Sequence, residues 1–367
     1  MTAALPSPPQ RPAAELLPFG PPFLIADPAA ARRDLTLLRR ALAASGVVAE
    51  AAVARPVGRA GEIAARALED GHRLLVAVGS DRIVHAILRV LVDPSGPRWP
   101  DAVLGLAGLG RQDLSATFGL PDDPARAARH LLGPNLFEAD VGRARWRGPD
   151  GTDRAGVFAN TAELGYPAEV SARTSARSAG AAEAAGSARI PGPTSAAGSA
   201  GRTGQDRATA AAAPRFVGGA QRFAGGVRRF AGRAGRFADA VGGLVAARST
   251  PARLEVDHTA VELRLAGLVV ANGQFAMGRM KVAPRALPDD GRLSVIAFQG
   301  EPLGIYARSK DLYYGLHVPH PSVREYQSRR VTVDTAEPLT LVLDGWRAAG
   351  GPPASFDVLE RALRVKV

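Results

Sequence analysis

Two textures of apolar and polar positions divide the chain near residue 137. Before that point, short apolar runs alternate with longer amphipathic ones. Phe23-Leu24-Ile25-Ala26, Leu74-Leu75-Val76-Ala77-Val78 and Val103-Leu104-Gly105-Leu106 are near-continuously apolar, the pattern of strands buried on both faces. Val47 to Val53 reads as a further strand. Between the runs, Leu35, Leu38 and Leu42 recur at helical spacing, Glu62 to Glu69 forms a second helix ended by Gly71, and Ile83 to Leu91 a third. Strands alternating with helices predict a parallel α/β sheet.

Beyond residue 137 strands dominate. The runs Ala139–Trp146, Arg154–Asn160, Arg253–Leu263, Leu268–Asn272, Leu293–Phe298, Arg330–Asp334 and Leu339–Leu343 alternate often enough to predict antiparallel sheet. Residues 172–214 interrupt them with Ala, Ser, Gly and Arg and, Ile190 apart, no large apolar side chain, so a disordered insertion is expected. From 215 to 249 a seven-residue repeat follows, Arg215-Phe216, Arg222-Phe223, Arg229-Phe230 and Arg236-Phe237, which on a helix gives a basic amphipathic stripe. Its glycines weaken an isolated helix, so contact with an anionic membrane and packing on protein are both open readings. The predicted layout is a disordered proline-rich leader at 1–22 and an α/β domain at 23–137. A β-sandwich follows at 138–171 and 250–345, carrying the insertion at 172–214 and the basic segment at 215–249. A return segment at 346–367 ends the chain.

Composition narrows the chemistry. The 367 residues include no cysteine, which removes disulfides, thiolate metal sites and cysteine nucleophiles and suits a reducing cytoplasm. A formal net charge of +11 favours anionic partners, although arginine enrichment beside abundant alanine and glycine also follows from a GC-rich genome. No apolar run approaches ~20 residues, so membrane contact is expected to be peripheral, at the inner face. Nucleic-acid binding is disfavoured, because no recognisable module accompanies the charge.

Three motifs occur in order. Val76-Ala77-Val78-Gly79-Ser80-Asp81-Arg82-Ile83 is a buried strand running into a small-residue turn with a carboxylate. Leu104-Gly105-Leu106-Ala107-Gly108-Leu109-Gly110-Arg111-Gln112-Asp113-Leu114 follows, with Phe118-Gly119-Leu120-Pro121 downstream. Asn272-Gly273-Gln274-Phe275 leads through Met280-Lys281-Val282-Ala283-Pro284 to Asp289-Asp290-Gly291-Arg292-Leu293. Gly315-Leu316-His317, His320-Pro321 and Leu343-Asp344-Gly345 add support. Together these stretches resemble the diacylglycerol kinase catalytic-domain family of bacterial lipid kinases and sphingosine kinase-like proteins. The likeness runs from Phe23 to Val367 apart from the 172–214 insertion.

The resemblance implies an N-terminal nucleotide-binding α/β domain and a C-terminal antiparallel β-sandwich with the site in the cleft between. It further implies ATP, Mg²⁺ and transfer of the γ-phosphoryl to a lipid hydroxyl. Such transfer needs positioning, charge neutralisation and a proton acceptor. The residues it points to for nucleotide are Asp27, Pro28, Gly79, Ser80, Asp81, Gly108, Gly110 and Asp113, with Asp81 also catalytic. For the metal it points to Asp290 with the carbonyls of Leu287 and Arg292. Residue chemistry alone also reads Asp81 and Asp113 as helix caps and Pro288-Asp289-Asp290-Gly291 as a turn.

The departures are specific. Arg82 and Ile83 stand where the family has Gly-Thr, and Met277 and Arg279 where it has glycines. The second motif reads either with Leu109 and Arg111 in place of two glycines or with Gly108 and Gly110 as the pair and Arg111 inserted. Trp346 occupies the position of the expected catalytic base, and indole accepts no proton. His317 and His320 are substitutes of lower weight. A second reading is therefore a pseudokinase that binds nucleotide or anionic lipid without transfer. A Rossmann dehydrogenase is a weaker third, since Gly105 to Gly110 does not follow that fingerprint. Homodimerisation stays open.

Overall fold

The computed structural model describes residues 18–110, 112–187, 242–243, 247–307 and 309–367. Arg111, most of the leader and the Arg–Phe repeat lie outside the described residues.

The first half builds a parallel sheet. Strand β1 (Phe23–Ala26) leads to helix α1 (Asp34–Ala44), then β2 (Glu50–Val53), α2 (Ala60–Glu69), β3 (Leu74–Val78), α3 (Asp81–Leu91) and β4 (Val103–Ala107). The order across the sheet is β2-β1-β3-β4, all parallel. Every residue of β3 and β4 is buried, as their apolar runs require. Alternate side chains feed opposite layers: Leu75 and Ala77 pack with α2 and α3, whereas Leu74, Val76 and Val78 pack with α1. Helix α3 has no side-chain bond at its Ser80 cap, but it buries Ile83, Val84, Ile87, Leu88 and Leu91. Each such burial contributes roughly 1.5–3 kcal/mol, against about 1 kcal/mol for a cap, so packing sets this helix.

Two short helices, α4 (Asp113–Thr117) and α5 (Pro124–Leu132), lead into the second half. There β5 (Leu136–Arg147), β6 (Asp153–Phe158) and β7 (Thr161–Gly165) precede α6 (Tyr166–Ser187). Next come β8 (Thr250–Val256), β9 (Thr259–Ala271), β10 (Leu293–Gln299), α7 (Pro302–Ala307), α8 (Ser309–Tyr314), β11 (Val323–Ser328) and β12 (Arg330–Thr335). Strands β13 (Leu341–Leu343), β14 (Trp346–Arg347) and β15 (Gly351–Lys366) complete the chain. Their pairings are antiparallel, apart from that of β15 with β4. Leu268 and Val270 of β9 face the sandwich core with Phe158 and Phe356, while Val269 and Ala271 face a second layer that includes Tyr166 and Val170 of α6. The expected fold class, a parallel α/β domain with an antiparallel β-sandwich, is the one present.

Strand β15 joins the halves. Its Ala354–Asp357 stretch pairs with β12, Val365 and Lys366 pair with β4, and β5 lies along most of its length. The segment expected only as a C-terminal return is thus a full sheet strand.

Two local expectations are corrected. Arg253–Leu263 is not one strand: Asp257, at φ +51°, turns the chain between β8 and β9, with its carboxylate bonded to Ser328 Oγ. Residues 172–187 are helical rather than unstructured, because α6 continues to Ser187. Their alanines favour helix even without a core-facing stripe. Among the described residues no helix is long and apolar enough to cross a membrane.

Candidate active site

The motif-bearing segments meet beyond the C-terminal ends of β3 and β4, the edge where open α/β sheets place ligands. Carboxylates tie them together. Asp81 opens α3, yet it caps a different helix: its oxygens accept the N–H of Asp113, both at 3.0 Å, and of Leu114 at 3.2 Å. Asp113 in turn opens α4 and accepts N–H bonds from Gly278 (3.1 Å) and Arg279. The first motif thereby holds the second, and the second holds the third. Asp344 does the same for β7, accepting from Ala159, Asn160 and Thr161 at 2.8, 2.9 and 3.0 Å, with His85 Nδ1 at 3.4 Å. Asn160 Nδ2 donates to the Phe275 carbonyl at 2.7 Å, and Gln274 N–H to Thr117 Oγ1 at 3.1 Å.

These acids share little compensating charge. Burial, then the nearby Asp113 carboxylate, pushes Asp81 well above the ordinary carboxyl range despite its N–H donors, and Asp344 adds to the rise. Arg82 is the cation among the described residues lining the adjacent cavity. Its guanidinium lies 4.8 Å from the Trp346 ring centroid, and burial lowers its pKa. Trp346 also stacks on His85, with ring centroids 6.2 Å apart. The indole at the base position therefore serves as a platform for a cation.

The glycines that resemblance assigns to phosphate are used internally. Gly79 has φ +122°, and a Cβ there would lie 2.4 Å from Asp27 Oδ2. That carboxylate accepts from Ser80 N–H and Ala30 N–H, each at 2.8 Å, so Asp27, with half-buried Pro28 beside it, locks the β1–α1 loop onto the first motif. Gly108 makes room for Gln112, whose amide bonds the Ala77 carbonyl at 3.1 Å and Ser115 at 2.6 Å. Leu109 (φ +45°) and Gly110 (φ +86°) follow in left-handed backbone. Met277, Gly278 and Arg279 are all left-handed too, at +52°, +80° and +71°. The side chains have changed at two of these positions while the backbone keeps a glycine shape, at a cost of roughly 1–2 kcal/mol for each L-residue.

At the expected metal position Asp290 closes a turn onto the Arg292 N–H at 2.9 Å, and Leu287 is exposed. Burial, with Asp140 and Asp289 nearby, raises its carboxyl. Among the described residues no three His, Asp or Glu side chains are grouped to hold a metal. His317 packs on Phe298, bonds the Val282 carbonyl at 2.8 Å and is held neutral-leaning by burial; His320 bonds Ser322.

One residue was missed by the sequence reading. Glu163 sits in β7, fully buried in strand, and lines a cavity of about 70 Å³ with Asp81, Asp113 and Asp344. Ser171, Thr174 and Ser175 of α6 close the cavity from the other side. Burial, ahead of repulsion by Asp113 and Asp344, pushes its carboxyl to about 8. A charged residue between Ala162 and Leu164 was the available signal.

Residues 23–144 match the family described as the diacylglycerol kinase catalytic domain, and residues 218–367 match the YegS C-terminal NAD kinase beta sandwich-like domain. A crystal structure from Bacillus anthracis str. Sterne, provisionally assigned as a diacylglycerol kinase, superposes with a TM-score of 0.62 at 17% identity, covering 94% of this chain and 96% of that one. A second crystal structure, of a diacylglycerol kinase from the same organism, gives 0.58 at 14% identity over the same shares. At these identities the likeness is one of fold. No curated protein sequence matches the chain. With two domain models matched in succession and the fold shared along nearly its whole length, the chain belongs to the diacylglycerol kinase catalytic-domain family.

Proposed function

We propose that this protein is an ATP-dependent lipid kinase, moving the γ-phosphoryl group to a lipid hydroxyl. The observation that carries the reading is the stitching of all three motif segments by Asp81 and Asp113 around one acid-lined cavity. The cavity is lined by carboxyl, hydroxyl and guanidinium groups and by few apolar ones, which suits a hydroxyl and a phosphate rather than an acyl chain. The terminal phosphates would lie along Ser80, Asp81 and Asp113, with Asp27, Pro28, Gly79, Gly108 and Gly110 shaping the turns behind. Arg82 faces the cavity and would meet phosphate oxygens there.

Asp290, with the Leu287 and Arg292 carbonyls, would hold Mg²⁺. The donors fit a hard cation in kind, one part-buried carboxylate and two backbone carbonyls, but no group of three acids stands there among the described residues. Mg²⁺ bound there would brace the turn before β10, since Asp290, Leu287 and Arg292 stand apart from the residues lining the cavity. The chain's own contribution is to orient the acceptor and exclude water.

Incubating the full chain with Mg-ATP and dispersed diacylglycerol, sphingoid-base and glycerolipid acceptors tests the reading. Labelled phospholipid is expected from at least one acceptor, and none from any overturns it. A second reading, a cytoplasmic protein that binds nucleotide or anionic membrane without transfer, is favoured by Trp346 filling the base position under Arg82. Calorimetry with ATP and flotation with anionic vesicles separate it: binding without product supports it, and loss of both sinks it.

A further inference from the structure

Hydroxyl attack on phosphorus requires a proton acceptor, and Trp346 cannot be one. The cavity offers four carboxylates, and three of them are saturated. Asp81 takes the α4 N–H groups, Asp113 those of Gly278 and Arg279, and Asp344 those of Ala159 to Thr161. Glu163 differs. Its carboxyl is bonded by Thr161 Oγ1, at 3.0 Å to Oε1, and by the Ser171 hydroxyl, while its Oε2, buried at 2% exposure of the residue, has no hydrogen-bond partner. Leaving a buried carboxyl oxygen unpaired costs roughly 1–3 kcal/mol or more, a cost that a hydroxyl donor placed against it would offset.

We propose that Glu163 Oε2 is the proton acceptor for the lipid hydroxyl, a catalytic role relocated from the β13–β14 turn to strand β7. The inference rests on the kinase reading above. In the step, the acceptor oxygen bonds to the γ-phosphorus of the nucleoside triphosphate. The bond from that phosphorus to the β-bridging oxygen breaks, and the electron pair leaves with the nucleoside diphosphate. The hydroxyl proton passes to Oε2 and later to water, which restores the carboxylate.

The surroundings fit this task. Asp81 and Arg82 face Glu163 from α3, Asp113 from α4, and Asp344, with His85 behind it, from the β13–β14 turn. Helix α6 presents only the hydroxyls of Ser171, Thr174 and Ser175. Apolar Val269 and Val342 are its sheet neighbours. Burial, with Asp113 and Asp344 adding to it, holds the carboxyl at about 8, close to working pH, where general bases are most effective.

The test is kcat/KM across neutral pH for the full chain with Mg-ATP and its best lipid acceptor. The wild type is expected to gain tenfold per pH unit up to about 8 and then level. Glu163→Gln, which mimics the protonated form, is expected to lose roughly 10²–10⁴-fold and to lose the rising limb. Glu163→Asp keeps a carboxylate and is expected to keep the limb at a lower rate. Thermal midpoints no lower than the wild type's would exclude misfolding as the cause. A Glu163→Gln protein with the wild-type rate and profile overturns the inference and leaves the kinase reading standing. A wild type that phosphorylates no acceptor removes the kinase reading, and this one with it.

Discussion

Arg279 pairs with Asp122 at 2.6 Å while its backbone sits at φ +71°. Arg279→Ala and Arg279→Gly both delete the ion pair, but only glycine relieves the left-handed strain. Arg279→Gly is therefore expected to be more stable than Arg279→Ala by about 1 kcal/mol, read from urea midpoints. Glu163 gives a second expectation at this scale. Its folded carboxyl, at about 8, stands above the unfolded value near 4.5, so the folded protein retains a proton the unfolded chain releases. Its share of stability is complete below the unfolded value and falls as pH rises toward 8, by about 1.4 kcal/mol per pH unit. Glu163→Gln is expected to flatten that slope in denaturation at successive pH values; an unchanged slope would place the raised carboxyl elsewhere. Asp81, raised as well, keeps its own contribution. At this scale the sequence was informative about substitutions and silent about their use. It gave Arg82 and Trp346 as changes, but a cation stacked on an indole is a contact between α3 and β14, which no spacing along the chain encodes.

Whole elements were legible where one force decides them. The runs of β3 and β4 are apolar throughout because both faces are buried, and they were read correctly. The β8–β9 hairpin was not, because the break in alternation at Asp257-His258-Thr259 is short and carries neither glycine nor proline to mark a turn. Helix α6 was missed for the opposite reason: it has no broad apolar stripe, and its first turns are held against β7 and β9 by Tyr166 and Val170. Asp81 and Asp113 were read as candidate caps, but caps of their own helices. Capping across segments depends on tertiary geometry. Asp344 is the strongest such link, buried and accepting three backbone N–H groups. Asp344→Ala leaves those donors unpaired and is expected to cost at least 3 kcal/mol, with Asp344→Asn recovering part, both measured by thermal unfolding.

For the whole molecule the deciding element is β15. It pairs with β12 and β5 on the sandwich side and with β4 on the parallel side, so neither core is closed without it. Truncation after Gly350 is expected to abolish cooperative unfolding in both halves, and in the intact chain probes placed in each half should report one transition. Two separate transitions would show that the halves fold independently. The parallel half was legible as a unit, and so was the sandwich. Their fusion was not, since Gly351-Pro352-Pro353 and the charges of Asp357, Glu360, Arg361 and Arg364 hide a strand.

That shared strand constrains how the protein can breathe. Rotating one half against the other would shear the long β5–β15 ladder, so a clamshell motion is mechanically stiff. Helix α6 is seated on that frame by the buried Tyr166 and Val170, and its Ser175 hydroxyl lies 2.9 Å from where a Cβ on Gly345 would stand. A side chain added at Gly345 would therefore press on α6 and reshape the cavity from one side, without parting the two halves.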